Sequence, residues 1–201
     1  MISKLGRGGF AMVYLVRRRE DGLFYAAKYQ RLADRERWDG MREAWLLKKL
    51  QDCKFVIKML EFYQSPGESV IVTEYLEGSD LFASLSEPDF ELTEAKCRLI
   101  VSQVLDALVY IHRLRVIHMD IKPNNILLAS RDKNNLTVKY VKSVLENIDC
   151  TILRIIDFGL AKELGGLEKE RCGMDGTLEF MAPEVIRSTY CTTATDMWSL
   201  G

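Results

Sequence analysis

Val116 to Leu128 reads VIHMDIKPNNILL. Apolar runs close the stretch at both ends, Val116–Ile117 and Ile126–Leu128, and each reads as a short buried strand. Between them lie an acid, a base and two amides: Asp120, Lys122, Asn124 and Asn125. Charges set between buried segments must be paired or neutralised, so a loop of this content is costly to build unless it performs chemistry. Taken alone it is also compatible with an ordinary strand-turn-strand. The rest of the chain decides between the two.

Upstream of this loop, Thr93 is placed to cap a helix reaching about Arg113, with Cys97, Ile100 or Val101, Val104, Leu108 and Ile111 as its apolar stripe. His112 and His118 read as structural hydrogen-bonding residues, not as bases. Downstream, Ile155-Ile156-Asp157-Phe158-Gly159 is an apolar strand ending in an acid, an aromatic and a glycine. Residues 130–150 are polar with a turn-rich start at Arg131–Asn135. They read as an insertion at the tip of a hairpin between Ile126–Ala129 and Ile152–Ile156, or as a retained intron; the sequence is compatible with both.

Further out, Leu5–Val13 reads LGRGGFAMV, in which Gly6 and Gly8 form a G-x-G and Ala11 stands where a third glycine of G-x-G-x-x-G would fall. Glycine lets backbone amides approach phosphate oxygens with no Cβ in the way. The loop leads into a strand at Val13–Arg17, a turn at Asp21–Gly22 and a second strand at Leu23–Tyr29 that carries Lys28. A glycine loop feeding a hairpin, not a helix, argues against a Rossmann or Walker arrangement. Arg35–Leu50 reads as a helix, with Trp38, Met41, Trp45, Leu46 and Leu50 at helical spacing. Strands at Phe55–Tyr63 and Ser69–Thr73 flank the turn Ser65-Pro66-Gly67, and TEYLEG (Thr73–Gly78) separates this β-rich part from the helical part.

The composition narrows the class. The chain has 201 residues, a net charge of −1, five cysteines and two histidines. Balanced charge gives no reason to expect a nucleic-acid or membrane-surface partner, and no apolar run reaches spanning length. An odd cysteine count with no C-x-x-C fits neither a disulfide framework nor a zinc site, which points to a reduced, intracellular setting, cytoplasmic with the nucleus as the alternative.

In order along the chain, the glycine loop, Lys28, H-x-D-x-K-P-x-N (His118–Asn125), Asp157-Phe158-Gly159, Gly176-Thr177, Ala182-Pro183-Glu184 and Asp196-Met197-Trp198-Ser199 together resemble the eukaryotic protein kinases. Lys122 and the Gly-Thr before Ala-Pro-Glu resemble the serine/threonine branch. VTEYLEGSDLF (Val72–Phe82) and IDFGLAK (Ile156–Lys162) resemble the calmodulin-kinase group, with its death-associated, myosin-light-chain and titin-type members. The resemblance implies an α+β, two-lobed fold: residues 1–76 as the β-rich lobe and hinge, and 77–201 as a partial helical lobe of a domain that belongs to a longer chain. It implies ATP and magnesium as cofactors and a protein with a Ser or Thr acceptor as substrate. The catalytic set is then Asp120, Lys122 and Lys28, with Asn125 and Asp157 on magnesium. The nucleotide site is Leu5, Gly6, Gly8, Val13, Ala26, Lys28, Glu43, Thr73, Glu74, Leu76, Asp80 and Leu127. Glu43 is the partner expected for Lys28, with Glu36 the weaker alternative. Asp196 is expected on the catalytic-loop backbone, and an Arg beyond Gly201 on Glu184.

Three departures from the family pattern matter. Asn125 and Asp157 lie 32 positions apart, where the family has a short hairpin. Asn124 replaces a Glu that recognises basic substrates, which implies a less strictly basic preference, with Asp80 and Glu179 still nearby. Met119 replaces the Arg that receives an activation-loop phosphate, and Gly159–Gly176 contains no Ser, Thr or Tyr. Control is therefore expected from outside this segment, through an autoinhibitory segment or a partner such as calmodulin. The alternative, a pseudokinase scaffold, would be signalled by loss of Lys28, Asp120 or Asp157, and all three are present.

Overall fold

Alternating side chains and two glycine turns make the first half of the chain a twisted antiparallel sheet with one helix laid across it. The computed structural model describes residues 1–7, 11–31, 40–88, 90–132, 152–166 and 168–201. Strands β1 (Ser3–Arg7), β2 (Ala11–Arg17) and β3 (Phe24–Arg31) precede helix α1 (Gly40–Lys49), and β4 (Met59–Ser65) and β5 (Glu68–Glu74) follow it. The strands lie in the order β1-β2-β3-β5-β4. Gly22 (φ 71°) and Gly67 (φ 93°) make the tight turns that permit the hairpins. At the start of α1, a Cβ on Gly40 would collide with Ser69 Oγ and Gln30 Oε1, so the helix meets the sheet only with glycine there.

Several sequence expectations shift here. Leu5 and Gly6 belong to β1, and Gly6 pairs with Val13. Ala11 lies in β2 opposite Gln30, with no positive φ, so its methyl incurs no left-handed penalty. Gly8, Glu36 and Trp38 lie outside the described residues. Met41 and Trp45 are solvent-facing, at 54% and 49% exposure, and the buried face of α1 is instead Glu43, Ala44, Leu46 and Leu47. The ring of Trp45 lies under the Lys49 ammonium, 5.2 Å from its centroid. β4 starts at Met59; the segment before it bridges Val56 to Ile155 without forming a strand.

The second half begins with β6 (Leu76–Asp80), so the expected linker is itself a strand, followed by α2 (Leu81–Leu85) and the long helix α3 (Glu94–Arg113). Thr93 caps α3 through Lys96 N, and Val104, Leu108 and Ile111 are buried. Ile100 packs against the core, while Val101 is exposed. β7 (Val116–Ile117), β8 (Ile126–Asp132), β9 (Ile152–Ile155), β10 (Lys162–Glu163), β11 (Glu170–Arg171), α4 (Pro183–Ile186), β12 (Tyr190–Cys191) and α5 (Thr193–Leu200) complete the order. β8 and β9 pair as the expected hairpin, and β8 runs on to Asp132 against β6. Residues 133–150 of the expected insertion lie outside the described residues.

The larger of two apolar clusters among the described residues crosses both halves. It joins Leu46, Leu47 and Leu50 of α1 to Ile71 of the sheet, to Leu108 and Ile111 of α3, and to Ile155 and Phe158. Truncating one of these leucines to alanine costs about 2–5 kcal/mol. A second cluster gathers Ile117, Met119, Leu164, Cys172, Ala182, Val185 and Cys191 beneath the segment that follows Gly159. The four described cysteines, Cys53, Cys97, Cys172 and Cys191, are free thiols. Among the described residues, no helix is long and apolar enough to cross a membrane.

Candidate active site

Lys28 enters from the middle of β3, paired across the ladder with Val13 on β2 and Ile71 on β5. Its Nζ donates to both carboxylate oxygens of Glu43, at 2.8 and 2.9 Å, and to Asp157 Oδ1 at 2.7 Å. Glu43 is buried on α1 and also accepts from Gln30 Nε2 at 2.9 Å. Burial opposes the charge on Lys28, but the Glu43 and Asp157 carboxylates outweigh it and raise its pKa. Desolvation likewise opposes ionisation of Asp157, and the Lys28 ammonium overrides it, holding the carboxyl below its ordinary value. The positive φ at this bend belongs to Asp157 (62°), and Gly159 supplies a backbone N–H to Asp157 Oδ1 at 3.3 Å. Phe158 is fully buried in the core that holds α1 and lies edge-on to His118, at 4.7 Å between ring centroids.

The loop 118–125 is clamped from below. Asp196, fully buried in the first turn of α5, accepts the main-chain N–H groups of His118 at 2.8 Å and Met119 at 2.9 Å. It also meets His112 Nε2 at 2.8 Å. A left-handed backbone at Met119 (φ 71°) is unfavourable for a non-glycine residue, and the Asp196 clamp holds it. His118 Nδ1 accepts from Asp120 N at 3.3 Å, and its Nε2 meets Ile156 O at 3.1 Å, so both ring nitrogens are engaged in scaffolding.

Asp120 is presented by this clamp. Its Oδ2 accepts from Lys122 Nζ at 2.6 Å and Asn125 Nδ2 at 2.8 Å, and its Oδ1 from Thr177 Oγ1 at 3.1 Å. Lys122 Nζ also reaches Thr177 Oγ1 at 2.6 Å, so acid, base and hydroxyl form a closed triangle. Asn125 spends its Nδ2 on Asp120 O and Oδ2, so its amide oxygen is not used in these two bonds. Gly176 (φ 125°) approaches Met119 O so closely that a Cβ there would sit 3.3 Å from it, which requires glycine beside the loop. Glu184 meets Thr195 Oγ1 at 2.7 Å among the described residues.

The remaining expected nucleotide contacts among the described residues are spread over β1, β2, β3, β5, β6 and β8. Ala26 pairs with Thr73, Leu76 is buried at the start of β6, and Leu127 pairs with both Asp80 and Arg154. Asp80 Oδ1 is occupied as the N-cap of α2, accepting Ala83 N at 2.9 Å. Leu5 is largely exposed on β1. Two contributors went unnoticed in the sequence. Gln30 lies two positions beyond Lys28 and therefore on the same strand face, a polar residue where core packing favours an apolar one. Arg154 is a cation set between Leu153 and Ile155 in an otherwise apolar strand.

Comparison with known proteins agrees with this geometry. The protein kinase domain family matches residues 1–201. The chain is 32% identical to rabbit (Oryctolagus cuniculus) myosin light chain kinase 2, skeletal/cardiac muscle, over 98% of its length and 29% of that protein. It is 33% identical to Caenorhabditis elegans death-associated protein kinase dapk-1, over 99% of its length and 13% of that protein. The chain thus spans less than a third of each of these two relatives. The solved structure of the Cydia pomonella granulovirus kinase PK-1 superposes with a TM-score of 0.78 at 23% identity, over 99% of this chain and 66% of that one, a likeness of fold. The two-lobed α+β architecture and the residues gathered around Lys28 and Asp120 therefore have one source: the chain belongs to the protein kinase family, in the calmodulin-kinase group that holds the myosin light chain and death-associated kinases.

Proposed function

We propose that this chain transfers the γ-phosphoryl group of ATP to Ser or Thr hydroxyls of protein substrates, with magnesium. The observation that carries the reading is the convergence on one cleft of Lys28, held between Glu43 and Asp157, and of Asp120, held by Lys122 and Asn125. Asp120 orients the attacking hydroxyl and takes its proton. The hydroxyl oxygen forms the new P–O bond as the bond from the γ-phosphorus to the bridging oxygen breaks, and ADP leaves with that electron pair. Lys122 lies beside Asp120 on the path of the transferred group and supplies positive charge there. Lys28 binds the α- and β-phosphates.

The donors present suit a hard divalent cation. Asp157 has one carboxylate oxygen committed to Lys28 and the Gly159 amide and, among the described residues, no partner on the other, and Asn125 offers its amide oxygen. When bound at Asp157 and Asn125, magnesium neutralises the phosphate charge that develops during transfer.

Residues 1–76 serve as the N-lobe and hinge and 77–201 as the helical lobe, with main-chain groups of Glu74 and Leu76 toward the adenine. Asn124 in place of an acid supports a less strictly basic substrate preference. A cytoplasmic location is supported by the cysteine usage, control from outside residues 1–201 by Met119 and the hydroxyl-free segment 159–176, and calmodulin as the partner by the likeness to the relatives alone. The test is phosphoryl transfer by the full-length protein to a Ser/Thr peptide with ATP and magnesium, beside Asp120→Asn and Lys28→Met. Each substitution is expected to lower kcat/KM by roughly a hundredfold or more. Either variant retaining transfer within a few-fold of wild type overturns the assignment.

A further inference from the structure

One charged cluster behind the cleft takes no part in the chemistry of Asp120 and Lys28. Arg154 of β9 and Glu74 at the end of β5 face each other with side chains only 17% and 16% exposed. Arg154 Nε donates to Glu74 Oε1 at 3.0 Å, and its Nη1 donates to Leu153 O at 3.1 Å. The same Glu74 oxygen accepts the main-chain N–H of Lys58 at 2.9 Å, while Glu74 N donates to Lys58 O at 2.8 Å. The Lys58 ammonium reaches back to the exit of α1, donating to Cys53 O at 2.6 Å and to Gln51 O. Glu74 is thus fixed, main chain and side chain, between β9 and the segment that leaves α1.

The three residues after Arg154 join this cluster to the site. Ile155 N donates to Phe55 O at 2.7 Å, and its carbonyl accepts from Ile57 N at 3.1 Å. Ile156 N donates to Asn125 O at 2.9 Å, and Asp157 meets Lys28 at 2.7 Å. Four consecutive residues therefore tether, in turn, the hinge, the exit of α1, the catalytic loop and Lys28. β9 ends at Ile155 and the chain bends at Asp157, so a displacement at Arg154 reaches Asp157 through the main-chain hydrogen bonds that Ile155 and Ile156 make to their neighbours.

Resting on the kinase reading above, we propose that Arg154 is a positioning residue for the nucleotide: through Glu74 it fixes the hinge main chain relative to Asp157. The adenine end and the metal end of the site then keep one spacing. A guanidinium–carboxylate pair this poorly hydrated is not interchangeable with a surface ion pair, because removing one partner strands the other away from water. The network coexists with the assembled Lys28–Glu43–Asp157 contacts, so losing it weakens nucleotide binding; it does not release a restraint.

The test compares full-length wild type with Arg154→Met, Arg154→Lys, Glu74→Gln and the Arg154→Met/Glu74→Gln double variant. Arg98→Met serves as a control, because its ion pair with Glu94 is 79% and 80% exposed. Equilibrium binding of ATP with magnesium is measured by calorimetry, and KM and kcat with a Ser/Thr peptide. Arg154→Met is expected to weaken ATP binding and raise its KM roughly tenfold, with kcat and peptide KM within about threefold of wild type. Arg154→Lys retains most of the affinity, the double variant binds no worse than Arg154→Met, and Arg98→Met is unchanged. Unchanged ATP affinity in Arg154→Met, or a gain in kcat, overturns the proposal. Glu74→Gln keeps the shape and the acceptor oxygen, so a loss of affinity in it supports the proposal and wild-type affinity overturns it, even if Arg154→Met does not fold. A wild type that binds no ATP sinks the kinase reading itself, whereas a wild type that binds ATP no better than Arg154→Met sinks only the role of Arg154.

Discussion

The loop 118–125 and the segment 159–181 both end at Asp120, yet different forces hold them there. The start of the loop is pinned by one buried charge: Asp196 accepts the main-chain N–H groups of His118 and Met119 and meets His112. The segment hangs on two short ladders, β10 with β7 and β11 with β12, and on the apolar cluster around Met119. Its nearby cations are turned to local tasks. Lys162 Nζ donates to Arg171 O at 2.7 Å, Arg115 donates to Gly165 O, and Lys49 pairs with Glu163. Charge fixes the loop that carries Asp120, where hydrogen bonds set direction as well as distance. Apolar contact, which is non-directional, suffices for the part that needs only to stay in place.

The largest expected effect comes from removing the charge. Asp196→Asn keeps the size but turns an NH2 toward donors, leaving a buried N–H unpaired at a cost of roughly 2–4 kcal/mol. Thermal unfolding should move down by about 5–15 °C, and kcat by about a hundredfold, because Asp120 loses its register. A variant with wild-type kcat would mean that the loop holds itself. A smaller effect is expected in the apolar region. Met119 is 5% exposed against Leu164 and Cys172, so Met119→Arg places a guanidinium among apolar groups and thiols. It should destabilise by roughly 2 kcal/mol and lower kcat/KM about tenfold, whereas Met119→Leu costs under about 1.5 kcal/mol. Calorimetric unfolding of the two variants separates the outcomes, and an Arg variant as stable as wild type breaks the contrast.

The same division decides what could be read in advance. Strands, hairpins and α3 follow from periodicity and turn chemistry that local sequence carries, and Asp120, Asn125, Lys28 and Asp157 stand in motifs whose spacing is their signal. Exposure on α1 was not legible: Met41 and Trp45 fit the helical period but face solvent, because the helix approaches the sheet over Gly40 and turns Glu43 inward. The residues that tie distant elements together were the least legible. Gln30 and Arg154 act on Glu43 and Glu74 across 13 and 80 positions, a relation that exists only after folding. The two-residue strands β10, β11 and β12 escaped for the same reason, since two residues carry no period and their pairing comes from tertiary context.

The smallest expected effect is none, and it tests the apolar side of the contrast most directly. A phosphorylated activation segment acts by pairing its new charge with a cation beside the catalytic Asp, which orders the loop. Here that cation is absent, because Met119 occupies its place within the apolar cluster. The phosphate acceptor is absent as well, since Gly159–Gly176 contains no hydroxyl side chain. The next hydroxyl, Thr177, already donates to Asp120 and accepts from Lys122, so a phosphate there would place negative charge against the Asp120 carboxylate. Phosphatase treatment of the purified full-length protein should therefore leave activity within about twofold, as packing already supplies the order that phosphate would confer. Thr177→Ser, which keeps the hydroxyl, should behave alike before and after treatment. A large loss of activity on dephosphorylation, mapped by mass spectrometry to residues 159–177, would show that charge and not packing orders this segment.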